Sequence, residues 1–128
     1  MAIMIIRLGS PRITGEGLRI GTVRRPPRGV PKSEFASRNF YDVWLPNLAP
    51  SEELVKKGQS STDDADWWTF VRKYRKEMKR PESGRIIDLL AALSHQTDIS
   101  VGCYCMNEQR CHRSLLRELL AERGASLV

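Results

Sequence analysis

No apolar run in the sequence approaches the roughly 18 residues that span a bilayer, so membrane insertion is not expected. The opening MAIMIIRLG is too short and too quickly charged to serve as a secretory signal. Cysteine is scarce, with three residues, and an odd number cannot all pair within one chain. Two of them, Cys103 and Cys105, would stand about 6.5–7 Å apart (Cα to Cα) on an extended strand, near the limit for a disulfide. A stapled fold is therefore not expected, and reduced thiols suit a soluble, cytoplasmic protein. Internal repeats and low-complexity tracts are missing too, which removes solenoids and disordered linkers. What is present is 128 residues, 41% hydrophobic and 28% charged. That is enough for one self-supporting globular domain over residues 1–128.

The formal charge of +6 is unevenly placed. Residues 1–50 carry +5, residues 51–97 carry +1, and residues 98–128 are neutral. The excess concentrates in Arg24, Arg25, Arg28 and Lys32. One reading is a solvated face that serves solubility. The sharper one is an anion-binding loop, because Pro26, Pro27 and Gly29 are interleaved with the arginines. Proline lowers the entropy lost on ordering a loop, and the arginine fork suits phosphate or carboxylate.

Periodicity sets out the elements. Residues 1–8 read as a buried strand, 9–17 as a turn-rich link and 18–23 as a second strand. Residues 32–40 predict a short helix with Phe35 and Phe40 inward, and YDVWLPNLAPS predicts extended chain passing into a loop. Ser51 is a good N-cap for a helix EELVKKG ended by Gly58. An amphipathic helix follows the acidic segment QSSTDDAD, with Trp67, Val71, Tyr74 and Met78 along one side. Pro81 should break it, and ESGRIIDLLAALSH predicts a helix buried on most sides, with His95 near its end as a cap. ISVGCYC, residues 99–105, is the clearest strand. Residues 111–123 form the last helix, with Gly124 just past its end.

Strands separated by helices predict an α/β fold: a mostly parallel central sheet flanked by helices, in a Rossmann-like three-layer arrangement. Such sheets bind ligands at the carboxyl ends of their strands. The loops after Val23 and after Cys105 both leave carboxyl ends, so parallel strands would bring the two loops to one edge.

GCYCMNEQRCHRS is the most chemically loaded stretch. Cys111, His112, Arg113 and Ser114 fall at the start of the last helix, where free N–H groups and the helix dipole favour anions and thiolates. Cys105, Cys111 and His112 are the candidate catalytic groups. Arg24, Arg25, Arg28, Arg113 and Ser114 are the candidate ligand-binding groups. Cys103 reads as a small buried hydrophobe. Three thiols and an imidazole match a zinc inventory, but C-x-C on a strand holds its sulfurs too far apart for one ion, and no metal or other cofactor is assigned. The order of strand, thiol, loop and Arg-Ser helix start shares the architecture of a thiol phosphatase. Its loop is longer, with seven residues between Cys105 and Arg113.

The succession GLRIGTVRRPPRGV, DVWLPNLAPSEEL, WWTFVRKYRKEM and CYCMNEQRCHRSLL resembles the YeaO-like family, domain of unknown function 488, over about residues 17–120. The resemblance implies a small single-domain α/β protein. The family often has Asp-Arg-Leu-Trp-Pro-Arg-Gly where this chain has Val23 to Gly29, so the second half of that pattern is kept and the Asp and Trp are lost.

Three functions fit these residues. The first is a phosphate- or nucleotide-type anionic ligand held at the carboxyl edge of the sheet, with possible cysteine chemistry. The second is a non-enzymatic nucleic-acid binding protein, using the basic first third and exposed aromatics such as Trp44 or Trp68. The third is a thiol- or metal-responsive protein.

Overall fold

The computed structural model describes residues 1–59, 63–105 and 107–128. Residues 60–62 of the acidic segment and Met106 of the thiol-rich stretch lie outside the described residues. Four strands, β1 (Ile3–Arg7), β2 (Leu18–Gly21), β3 (Val43–Trp44) and β4 (Ile99–Cys103), form one sheet in the order β1-β4-β2-β3. Every pairing is parallel. The expected α/β single-domain arrangement is therefore present, with the sheet parallel throughout the described strands. Its likeness to a Rossmann fold is loose, extending to parallel strands joined by helices.

β4 is buried along its whole length, as a near-continuous apolar strand between two parallel neighbours should be. At the free edge of β1, residues 126–128 pair with Ile3. The Ile3 N–H donates to the Ser126 carbonyl at 2.8 Å, and the Val128 N–H donates to the Ile3 carbonyl at 3.0 Å.

The helices are α1 (Glu52–Gln59), α2 (Asp64–Met78), α3 (Pro81–Leu93) and α4 (His112–Glu122). Local chemistry sets most of their ends. Ser51 Oγ accepts from the Leu54 N–H at 3.3 Å, and the Asp63 carboxylate accepts from the Asp66 N–H at 2.8 Å, both N-cap bonds. Pro81 opens α3, where its missing N–H has no partner to lose. Gly124 leaves α4 at φ +78°, a backbone conformation that favours glycine.

Three expectations are corrected. α1 runs through Gly58 to Gln59. α3 is buried on one side, through Ile87, Leu90 and Ala91, while Leu89 is exposed. Residues 32–40 hold only a short 3-10 turn, Lys32–Glu34, followed by turns that end where Asn39 takes φ +65°. Phe35 does turn inward, packing edge-on to Tyr41 at 5.2 Å between ring centroids.

The register aligns Gly21 of β2 with Gly102 of β4, so their carboxyl ends finish abreast. Both glycines are required by crowding. A Cβ on Gly102 would stand 2.5 Å from the Ile6 carbonyl oxygen, and one on Gly21 would stand 2.3 Å from the Tyr41 ring.

Between the sheet and the loops that precede it lies a fully buried guanidinium. Arg19 donates from Nε and Nη2 to the two carboxylate oxygens of Glu16, at 2.9 and 2.7 Å. Its Nη1 donates to the Ser10 and Asn39 carbonyls at 2.8 and 2.7 Å. Glu16 also accepts from Ser100 Oγ at 2.9 Å and from the Ile13 N–H at 2.7 Å. This network ties two long loops to β2 and β4. Removing Arg19 alone would strand a buried carboxylate, which typically costs about 3–5 kcal/mol. Arg19→Met should therefore lower stability by that order in urea unfolding, with part of the loss recovered in the double variant Glu16→Gln, Arg19→Met. An unchanged midpoint for Arg19→Met contradicts this account of the network.

Candidate functional site: a cavity at the carboxyl edge of the sheet

The chain leaving β2 and the chain leaving β4 are stitched together. Thr22 Oγ1 donates to the Gly102 carbonyl at 3.0 Å, and the Tyr104 hydroxyl donates to the Arg25 carbonyl at 3.1 Å. The His112 ring, in the first residue of α4, sets its Nε2 2.7 Å from the Thr22 carbonyl. A carbonyl only accepts, so Nε2 carries the proton and Nδ1 keeps its lone pair.

Beside these links opens a cavity of about 600 Å³, within the usual range for sites that bind small ligands. Its wall takes Val23, Arg24 and Arg25 from the first loop and Cys103, Tyr104 and Cys105 from the end of β4. Arg110, Cys111 and His112 enter from the start of α4. Trp67 and Phe70 of α2 supply a stacked aromatic pair, with ring centroids 5.4 Å apart. Asp63 and Asp64 complete the acidic part of the wall.

The family model described as the active DUF488-N3 subclade matches residues 3–124. The chain belongs to the DUF488 family. No curated protein and no solved structure matches it.

Within this DUF488 protein the predicted site residues divide. Arg24, Arg25, Cys105, Cys111 and His112 all stand in the wall. Among the described residues, Arg28, Arg113 and Ser114 do not line the cavity. Arg28 is exposed. Arg113 is buried and donates from Nη2 to the Cys105 carbonyl at 2.6 Å, while its Nε has no hydrogen-bond partner. Ser114 Oγ donates to the Cys111 carbonyl at 2.9 Å. Those two side chains act on the backbone that carries the cysteines. Arg24 is a wall residue whose Nε binds the Pro50 carbonyl at 2.9 Å and whose Nη2 binds the Pro46 and Ala49 carbonyls, both at 3.1 Å. Arg25 pairs with Glu52 at 2.6 Å, with both side chains more than half exposed.

The thiols differ sharply in setting. Cys103 and Cys111 are buried, and their sulfurs lie 2.8 Å apart. Cys105 is exposed. β4 ends at Cys103, so strand alternation does not govern Cys105. The sulfurs in direct contact are those of Cys103 and Cys111, eight residues apart in the chain.

Hydrogen bonds from Cys103 and Cys111, aided by the Arg113 charge, pull the Cys105 thiol well below its ordinary value. The same hydrogen bond from Cys105, the one from Cys111 and burial push Cys103 up. Burial holds His112 down to about 4, against the hydrogen bond to Thr22. It is therefore a neutral imidazole at pH 7.

Sequence reasoning passed over Trp67, Phe70, Arg110 and Thr22. By spacing, Trp67 belongs to the apolar stripe of α2. It sits at the first turn of that helix, where the stripe runs out over the cavity, and the Arg110 guanidinium lies 5.5 Å from its ring centre.

A thiol pulled down to about 2 is ionised at pH 7, and thiolate is the alkylated form. In reduced, metal-free protein, the iodoacetamide rate at Cys105 should stay nearly flat from pH 8.5 down to 6. An unperturbed thiol would slow about tenfold per unit over that range. Peptide mapping after limited labelling checks this, and a tenfold-per-unit decline at Cys105 contradicts it.

Proposed function

We propose that this cavity binds a phosphate- or nucleotide-type anionic ligand, with Cys105 as its reacting group. The observation that carries the reading is the exposed Cys105 thiol sharing one wall with Arg24, Arg25 and Arg110, at the point where α4 begins. The positive end of a helix dipole and arginine side chains both favour an anion there. Trp67 and Phe70 give the same cavity an aromatic side, suited to a planar base. The description of the matched subclade as active agrees with a protein that does chemistry.

In the reaction so proposed, the Cys105 sulfur attacks an electrophilic phosphorus or carbon of the ligand. The bond to the leaving group breaks as the new sulfur bond forms, and water then cleaves that bond and restores the thiol. Arg113 acts as a positioning residue, through its bond to the Cys105 carbonyl.

Calorimetric titration with inorganic phosphate and with nucleoside 5′-monophosphates tests the binding step. Charge-assisted hydrogen bonds contribute about 1.5–3 kcal/mol. Arg25→Ala and Arg110→Ala should therefore each weaken binding about tenfold or more. Both side chains are exposed enough to be removed without unfolding the chain. Affinity equal to wild type in both variants rejects the reading.

A further inference from the structure

We propose that Cys103, Cys111 and His112 form a three-ligand site for a thiophilic divalent ion of the zinc class, its fourth position turned toward the cavity. The three candidate donor atoms lie within 4.8 Å of one another, and all three residues are buried. His112 Nδ1 stands 3.7 Å from Cys111 Sγ. Ligand atoms around tetrahedral zinc, at about 2.3 Å for sulfur and about 2.0–2.1 Å for nitrogen, stand about 3.5–3.8 Å apart. The imidazole is already at that spacing. The two sulfurs, 2.8 Å apart, need to part by about 1 Å to admit the ion.

The orientation of the imidazole is the second argument. Its Nε2 faces the Thr22 carbonyl at 2.7 Å, which leaves the Nδ1 lone pair on the side of Cys111 Sγ. A backbone carbonyl holding the far N–H is the usual support of a metal-bound histidine.

Charge balance is the third. Two thiolates and a neutral imidazole around a divalent ion sum to zero. Cys103 and Cys111 pack in an apolar cluster with Ile6, Leu8, Val23 and Tyr41, where a net charge would be costly and a neutral centre is not. All three ligands sit on or next to regular elements: Cys103 ends β4, Cys111 caps α4, and His112 is its first residue. They also line the cavity together, so the open position meets whatever binds there. Cys105 is left outside the trio, and the inference stands whether or not the proposed anionic ligand binds.

The test is anaerobic titration of reduced, chelator-stripped full-length protein with Co²⁺, read by absorption. One equivalent should give sulfur-to-cobalt charge-transfer bands and the intense visible bands of a tetrahedral site, both abolished by Zn²⁺. Cys105→Ser should keep that spectrum, whereas His112→Gln and Cys111→Ser should weaken binding at least a hundredfold. The wild-type and Cys105→Ser spectra stand on their own if a ligand variant fails to fold. Three outcomes overturn the site: no tetrahedral spectrum in reduced wild type, a spectrum lost in Cys105→Ser, or one unchanged in well-folded Cys111→Ser. Phosphate or nucleotide titrations in the presence of chelator report on the anion reading separately.

Discussion

The parallel ladder between β2 and β4 is the constraint on which the site depends. Because Leu18 pairs with Ile99 and Gly21 with Gly102, the two strands end side by side. The segments that follow them, about 80 residues apart in the chain, begin at the same edge. An antiparallel pairing would send one of them to the far side. The glycine pair at the end of the ladder lets the Ile6 backbone and the Tyr41 ring approach closely. Thr22, Tyr104 and His112 then bind the two segments to each other. The cavity is thus a consequence of register first and of its individual side chains second.

Burial divides the three thiols into two kinds. Cys103 and Cys111 face each other inside an apolar cluster, and Cys105 stands one step beyond the strand end, open to the cavity. The neutral His112 belongs with the buried pair, since its free lone pair faces Cys111. The proposed nucleophile and the proposed ion site are neighbours that share an influence, since Cys103 and Cys111 are also the groups that lower the Cys105 thiol.

Much of the framework was legible because its signals are local. β4 reads from its β-branched run, α2 from its stripe and its aspartate cap, and the end of α4 from Gly124. The common edge was legible too, once parallel strands were inferred from the alternation of strands and helices. What escaped depends on contacts between distant residues. Arg19 looked like one more cation in a basic segment, yet it is fully buried against Glu16 and the carbonyls of two loops. Nothing in its neighbours' identities announces that network. The meeting of Cys103 with Cys111 depends on how the chain returns from β4 into α4, and strand alternation gave no access to it. Arg113 resembled an anion ligand by position, and only its bond to the Cys105 carbonyl reveals where its guanidinium lies.

If the proposed anionic ligand and the Cys105 thiol occupy the same space, a bound ligand shields the thiol. Ligand protection of that thiol measures this directly. Limited iodoacetamide labelling of reduced protein, mapped by peptide, is compared with and without a saturating nucleoside 5′-monophosphate. Labelling of Cys105 should slow at least tenfold when the ligand is bound. An unchanged rate at saturating ligand, with binding confirmed in the same sample, would contradict the account.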